Sequence, residues 1–187
     1  DGYFILPYTI GDYLAGEILV PRTDTRAPEF EEAEARVKER IEKLLTIRGS
    51  FPVDYFHKEL GHVMWEFVGM SRNEEGLRKA VRRIRELKKE FWSNVKIPGE
   101  NNNLNQELEK AGRLADFFEI GELMALDALD RNESCGGHFR EESVTEEGEA
   151  LRHDDRFAYV SVWECKGNGH EPVLHKEPLV FESIKLS

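Results

Sequence analysis

A polar cluster that could carry chemistry lies at residues 133–142. It reads Glu133-Ser134-Cys135-Gly136-Gly137-His138-Phe139-Arg140-Glu141-Glu142. Histidine titrates near neutral pH and arginine binds anions through two N–H groups, so His138 and Arg140 could hold an anion or a partner. In the alternative, architectural interpretation, Gly136 and Gly137 turn the chain at positive φ, and the two cationic side chains bind the free carbonyls at a helix end. The residues by themselves favour the architectural interpretation.

A pair with zinc-ligand chemistry, Cys135-x-x-His138, lies inside the same cluster. Structural zinc takes four ligands, which usually come as two such pairs at suitable spacing. Cys165 is the other cysteine of the sequence, and the remaining histidines follow no second-pair pattern. The sequence therefore predicts no metal site.

Patterns that mark enzyme active sites are missing from the sequence. It contains no Ser-His-Asp order, no phosphate-binding Walker loop, no Gly-x-Gly-x-x-Gly dinucleotide motif and no paired-carboxylate arrangement. We therefore expect no catalytic residue and no cofactor-binding residue in this chain.

A basic face accompanies the helical periodicity of residues 73–92. It consists of Arg78, Lys79, Arg82, Arg83, Arg85, Lys88 and Lys89. The face is either a solvated helix surface with ion pairs to neighbouring glutamates, or a surface on which an acidic partner docks. For partner docking, the candidate residues are Arg82, Arg83 and Arg85.

Charge and length limit the classes of function. The chain has 187 residues and a formal net charge of -11, whereas nucleic acids and anionic lipid surfaces bind basic faces. Its 40% of hydrophobic residues suffices for a core, yet no apolar run approaches the ~20 residues that span a bilayer. With two cysteines, we expect free thiols and a cytoplasmic protein without a disulfide framework.

Four segments with the apolar spacing of amphipathic helices must position the polar cluster. They cover residues 29–48, 51–69 and 73–92, and a long segment that begins at Leu104. Asn102 or Asn103 is expected to cap the last helix, and Gly136 with Gly137 to end it. Since short connections favour antiparallel neighbours, we predict a mainly α fold built on an antiparallel bundle of three to four helices.

A small C-terminal β-hairpin is predicted after the helices. Residues 143–156 are acidic and irregular, and residues 157–165 then alternate in polarity as in a strand. Residues 166–169, Lys-Gly-Asn-Gly, are typical of a tight turn, and residues 172–186 return as the second strand. A lone hairpin is at best marginally stable, so it must pack on the helices or on another part of the protein.

The beginning of the chain is apolar and aromatic. Tyr3-Phe4-Ile5-Leu6 lies close to the first residue, and there is no initiating Met. Because free termini are usually polar, we expect the chain to be part of a longer protein. The predicted organisation is a tail of a preceding domain at 1–20, a linker at 21–28, a helical bundle domain at 29–142, and a loop with a β-hairpin at 143–187.

The cluster at residues 133–142 resembles the end of the last long helix in the flavoprotein subunit of succinate dehydrogenase and fumarate reductase. That family has a Glu-Ser-Arg-Gly-x-His-x-Arg-x-Asp pattern, which this chain follows with two departures, Cys135 for Arg and Glu142 for Asp. Two further stretches match, His153-Asp154-Asp155 before a strand and Lys176-Glu177-Pro178-Leu179 in the closing hairpin. The resemblance covers essentially the whole chain.

The resemblance implies the C-terminal helical domain of an enzyme that interconverts succinate and fumarate. The full-length flavoprotein would carry FAD, while no cofactor is expected on this chain because the family's catalytic and FAD-binding residues lie elsewhere. Residues 1–20 would be the tail of the FAD-binding domain. Structural or interface roles would belong to residues of the cluster: Gly136, Gly137, His138, Arg140 and Glu142.

The implied partners are the FAD-binding domain of the same subunit and an iron–sulfur subunit, with a membrane anchor subunit contacted only indirectly and no nucleic acid. The protein would then be cytoplasmic and peripheral to the inner face of the membrane. Two alternatives stay open. One is the C-terminal domain of an L-aspartate oxidase, which is similar at the same cluster. The other is a stand-alone acidic helical interaction module whose docking face is the basic face of residues 73–92.

Overall fold

The computed structural model describes residues 2–100, 103–167 and 169–183. It confirms the predicted fold class, a mainly α chain that closes with a small antiparallel strand pair. The chain divides into two compact units, one up to Arg40 and the other from Ile41 onward. In these described ranges, no helix is both long and apolar enough to cross a membrane.

The first unit begins with three short helical segments. Helix α1 spans Gly2–Tyr8, a π-helical segment follows at Thr9–Tyr13, and a 3-10 turn at Ala15–Glu17. Pro7 lies inside α1 and cannot donate a backbone hydrogen bond, which agrees with the change of helical geometry directly after it. Large apolar side chains of these segments are exposed, for example Tyr3 at 86% and Tyr13 at 78%.

Helix α2 spans Pro28–Thr46 and runs from the first unit into the second. Most of it is exposed, and Leu44 in its last turn is its buried residue. The division between the two units therefore lies inside this helix. The domain limits expected from the sequence stay predictions.

Three helices form the bundle of the second unit: α3 at Val53–Phe67, α4 at Glu74–Asn94 and α5 at Gln106–Asp130. Asn73 caps α4 by accepting a hydrogen bond from the Gly76 N–H, and apolar residues then recur at helical spacing. The fully buried side chains at the centre are large and come from all three helices. They include Phe56, Leu77, Ile84, Leu87, Phe91, Leu114 and Phe118.

Two parallel strand pairs of two residues each join the helix ends. Strands β1 and β3 (Phe51–Pro52 and Val95–Lys96) link the start of α3 to the end of α4. Strands β2 and β4 (Ser71–Arg72 and Phe139–Arg140) link the start of α4 to the segment after α5. Both pairs require neighbouring helices to run in opposite directions, which confirms the antiparallel bundle. The sequence analysis did not predict these strands.

The ends of α5 differ from the prediction. The cap is Asn105, which accepts a hydrogen bond from the Leu108 N–H, and not Asn103; Asn102 lies outside the described residues. The helix ends at Asp130, before the glycine pair at Gly136. The expectation that the glycines end the helix was therefore wrong.

The predicted β-hairpin is confirmed, although its second strand ends at Pro178; Asn168 of the predicted turn and residues 184–186 of the predicted strand lie outside the described residues. After a short helix α6 at Asp154–Phe157, strand β5 (Tyr159–Glu164) pairs antiparallel with β6 (Val173–Pro178). The hairpin packs on the end of α5, where the Trp163 indole N–H donates to Asp127 and the Tyr159 hydroxyl to Asp130, at 2.9 and 3.0 Å. These contacts fix the strands at the same end of the bundle as the polar cluster.

Candidate functional site

Arg140 is the centre of the polar cluster. Its side chain is only 1% exposed, and Nη1 donates to the carbonyl oxygens of Ala128 and Leu129, at 2.8 and 3.3 Å. These carbonyls belong to the last turn of α5 and have no partner within the helix. Arg140 Nε also donates to Glu142 Oε2 at 3.0 Å. A buried guanidinium therefore replaces the next helical turn, which explains why α5 ends at Asp130.

Glu142 connects Arg140 to the beginning of α4. Its Oε1 accepts the backbone N–H of Glu74, the first residue of the helix, at 2.5 Å. Desolvation acts to raise the pKa of Glu142, but the hydrogen bonds from Glu74 and Arg140 outweigh it and lower this pKa below its usual value. The carboxylate thus ties the start of one helix to the end of another. The Glu142 side chain makes both contacts.

Glu141 binds the other side of the same helix start. Its two carboxylate oxygens accept hydrogen bonds from Asn73 Nδ2 at 2.9 Å and from the Ser71 hydroxyl at 2.7 Å. The same two contacts, that of Asn73 first, lower the pKa of Glu141. Its backbone N–H donates to the carbonyl oxygen of Arg72 at 2.8 Å, which extends the pairing of β2 with β4.

His138 is half-buried between two arginines. Its Nε2 lies 2.7 Å from the carbonyl oxygen of Arg131, and its Nδ1 lies 2.7 Å from Nη1 of Arg72. An arginine can only donate and a carbonyl can only accept, so the ring is the neutral tautomer with the proton on Nε2. Burial, followed by the charges of Arg72, Arg140 and Arg131, lowers the pKa of His138, against the opposing effect of its bond to the Arg131 carbonyl.

Arg131 extends the network into the hairpin. It donates to Glu133 at 2.8 Å and to the carbonyl oxygens of Phe157 and Tyr159, at 3.0 and 2.9 Å. Glu133, which is 2% exposed, accepts a second hydrogen bond from the backbone N–H of His153. The start of the hairpin is therefore attached to the cluster by one buried ion pair and its backbone contacts.

The two glycines of the cluster differ in conformation. Gly136 has a φ of +58°, the left-handed region that the sequence analysis expected for both residues. Gly137 does not have a positive φ, so the expectation was wrong for that residue. One left-handed residue is enough for the turn, because the backbones of Cys135 and His138 pair directly across the two glycines.

The cluster does not fit a metal ion or a flavin. Both ring nitrogens of His138 are engaged, and within the described ranges no group of three or more His, Cys, Asp or Glu side chains could hold a metal. A flavin pyrophosphate favours a helix N-terminus free of negative charge, but the first turns of α3, α4 and α5 all carry acidic residues.

The basic face of α4 has a different character. Arg85 donates to Glu122 of α5 and to Glu171 of the turn between β5 and β6, both at 2.6 Å. Arg83 lies 3.5 Å from Glu59 of α3 and from Glu86. Of the three predicted docking residues, Arg82 and Arg85 line one open depression, and Arg83 does not.

Several residues of the cluster escaped the sequence analysis. Arg72 contacts His138 across 66 positions of sequence and also binds the carbonyl oxygens of Val68 and Gly69. Ser134 is fully buried and exchanges hydrogen bonds with the backbone of Arg140. No local signal identifies Arg72. Glu133 and Ser134 could have been named as candidate residues, since both belong to the pattern on which the resemblance rests.

A family model described as "Fumarate reductase flavoprotein C-term" matches residues 57–187, well over half of the chain. The chain belongs to this family. It is 31% identical over 147 residues to the fumarate reductase flavoprotein subunit of Proteus vulgaris, across 75% of this chain and 24% of that subunit. It is 32% identical over 111 residues to an uncharacterised FAD-dependent oxidoreductase of Methanocaldococcus jannaschii, across 59% of this chain and 20% of that protein.

Solved structures show the same fold. The FrdA chain of Escherichia coli quinol fumarate reductase matches with a TM-score of 0.74 and 23% identity, across 87% of this chain and 27% of that chain. L-aspartate oxidases match over a shorter stretch: that of Yersinia pestis is 33% identical over 84 residues, 43% of this chain and 14% of that enzyme. The chain thus spans about a quarter, or less, of the length of these proteins.

Proposed function

We propose that this chain is the C-terminal helical domain of a flavoprotein subunit that interconverts succinate and fumarate. The observation that carries the proposal is the family match over residues 57–187, which includes the whole polar cluster. The full-length subunit would bind FAD in a preceding domain and pass electrons to an iron–sulfur subunit. It would be cytoplasmic and reach the membrane through its partners.

In this proposal the polar cluster is structural. Arg140, Glu142 and His138 use their polar atoms on helix ends and on one another, which leaves no donor set directed at a substrate. Within the described residues, the one buried side-chain oxygen or nitrogen without a hydrogen-bond partner is Ser161 Oγ, which lies in the hairpin. The domain's contribution to catalysis would be to hold the flavoprotein's shape and its interfaces.

Docking on the FAD-binding domain is supported by exposed apolar side chains. On the bundle, Trp65 of α3 is 86% exposed, and Phe117, Ile120 and Met124 of α5 are 43–54% exposed at helical spacing. In the first unit, residues 3–20 expose most of their large apolar side chains. Contiguous exposed apolar surface of this kind marks interaction sites in proteins.

The test is to isolate the native protein from its source cells with an antibody against this chain. We expect a species several times heavier than this chain, with bound flavin, with succinate oxidation or fumarate reduction, and with an iron–sulfur partner. A flavin-free species of this chain's own mass would contradict the proposal and favour the interaction module. A flavin enzyme that oxidises aspartate without an iron–sulfur partner would favour the aspartate oxidase instead.

A further inference from the structure

An open depression of about 600 Å³ lies between α4, α5 and the turn that joins β5 to β6. It differs from the polar cluster, because its lining combines apolar and charged side chains at the surface. The lining residues are Arg78, Val81, Arg82, Arg85, Glu86, Leu126, Leu129 and Glu171.

The depression has an apolar lining provided by two helices. Val81 of α4 and Leu126 and Leu129 of α5 are each half-buried, so part of each side chain faces the depression. Val81 and Leu129 also pack against the core of the bundle. An apolar side chain of a partner that entered here would therefore meet a surface held in place by the core.

The arginines of the depression differ in how much of their charge is neutralised. Arg85 has two carboxylate partners, Glu122 and Glu171, and Arg78 has Glu74. Arg82 is exposed and has no ion-pair partner within the described part of the chain. Because Arg82 lies beside the apolar lining and has no carboxylate of its own among the described residues, a carboxylate of a ligand can pair with it there.

We propose that this depression binds an acidic peptide segment of a partner protein. A carboxylate of the segment contacts the Arg82 guanidinium, and a neighbouring apolar side chain packs on Val81, Leu126 and Leu129. The occupant is acidic because the unmatched charge is positive, which is notable on a chain whose formal net charge is -11. It is a peptide because carboxylate and apolar side chain must come from one ligand a few residues apart.

Glu171 allows a second, independent test of the proposal. It lies on the turn between β5 and β6, its side chain is 72% exposed, and it already places a carboxylate on Arg85. An incoming acidic segment would be repelled by this carboxylate or would displace it from Arg85. Glu171→Gln should therefore strengthen binding, by about twofold to fivefold.

This inference does not rest on the succinate–fumarate chemistry of the proposed function. The experiment is a selection of a displayed library of random short peptides against the full chain. The enriched peptides are then titrated as free fluorescent peptides, and their binding is measured by anisotropy. Loss of flavin or of enzyme activity from the native protein would not alter this readout, so the two proposals can fail separately.

We expect enriched peptides that carry Asp or Glu within a few residues of Leu, Ile or Phe. Arg82→Glu should weaken their binding by about tenfold or more, and added salt should weaken it as well. The matched control is Arg83→Glu, which reverses the same charge one residue away but outside the depression, and it should change binding by less than about threefold. Leu126→Asp should weaken binding without disturbing the buried core.

The proposal is overturned if no peptide is enriched, or if the enriched peptides are neutral or basic. Equal losses with Arg82→Glu and Arg83→Glu would also overturn it, since they would reflect the general charge of α4. Self-association of the chain that disappears with Arg82→Glu, measured by light scattering, would assign the depression to a second copy instead.

Discussion

Two arginine-rich regions of this domain use the same side chain in opposite ways. In the cluster, the buried Arg140 satisfies carbonyl oxygens at the end of α5 and a carboxylate that holds the start of α4. On the outer face of α4, the arginines are exposed or half-exposed, and their carboxylate partners are mostly exposed as well, with the largely buried Glu122 as the exception. A buried charge needs a complete set of partners, whereas an exposed charge can exchange them.

The difference separates architecture from recognition. The cluster could accept a ligand only by giving up contacts that hold two helices and the hairpin together. The α4 face could accept one by exchanging an exposed ion pair, at little cost to the fold. The two regions have a similar content of charged residues, so composition does not predict which one is architectural and which one can bind a partner. Burial and interaction partners decide this.

Removal of the Arg140 side chain should give the largest effect that tests the difference between the two regions. Arg140→Leu should lower the free energy of unfolding by about 3–5 kcal/mol, because the helix-end carbonyls and Glu142 lose a buried partner. Urea denaturation followed by circular dichroism measures the change. Arg82→Leu is the matched control and should stay within about 0.5 kcal/mol of wild type. Similar losses for the two variants would show that the regions do not differ as described.

The two glycines of the cluster test its backbone at adjacent positions. Gly136→Val should destabilise by about 1–3 kcal/mol, because a β-branched residue is strained at a φ of +58°. Gly137→Val should stay within about 0.5 kcal/mol, since φ is not positive there and an added Cβ meets no atom within 4 Å. Thermal melting of both variants decides, and a larger loss at Gly137 would contradict the turn geometry.

A smaller effect concerns pH. The pKa of His138 is lowered in the fold, so the unfolded chain takes up its proton first as the pH falls. The stabilisation by the neutral ring is complete above the ordinary pKa of 6.5 and is lost as the pH falls through the lower folded value. Unfolding free energies between pH 8 and 5 should therefore fall more for wild type than for His138→Gln.

The glutamates of the cluster separate this effect from acid unfolding. The pKa values of Glu141 and Glu142 are also lowered, so their stabilisation is present above their ordinary 4.5 and is lost only at more acidic pH. Parallel curves for wild type and His138→Gln across the histidine range would show that the ring is not held neutral by its neighbours.

The smallest expected effect lies within the α4 face itself. Arg85→Ala should cost about 1 kcal/mol at most, because its partner Glu122 is only 13% exposed and would lose its closest cation. Arg83→Ala should cost less, since both its partners lie 3.5 Å away and are more exposed than Glu122. A double-mutant cycle with Glu122→Gln measures the Arg85 pair directly, and a coupling energy near zero would remove the distinction.

The helices could be predicted from the sequence because their signals are local. In α4, the apolar residues that recur at helical spacing, Leu77, Ala80, Ile84, Leu87 and Phe91, are all buried. Val81 is half-buried, and it both packs against the core and lines the depression. A period of 3.6 residues needs no information beyond the segment itself.

The end of α5 could not be predicted in the same way. Asp130 is followed by Arg131 and Asn132, which are weaker stop signals than the glycine pair that comes later. The helix ends where it does because Arg140 reaches back to the carbonyls of its last turn. Caps supplied by a distant side chain leave no trace in a window of neighbouring residues.

The short strands were missed for the same physical reason. The pairing of Ser71 with Phe139 depends on the path of two whole helices, and two residues are too few to show an alternating pattern. The residues at 133–142 by themselves indicated contacts between Arg140 and the carbonyls of a helix end. The partners Arg72 and Glu74 emerged only from the structure.

The pairing of β2 with β4 also has a consequence for the order of folding. The Glu141 N–H bonded to the Arg72 carbonyl closes a loop that contains both α4 and α5. The entropy of closing so long a loop is recovered only when the helices inside it are packed. The cluster should then form late, and its amide hydrogens should exchange with solvent only when the bundle opens as a whole. A motif that looks like the end of one helix thus acts as the closing step of the entire bundle.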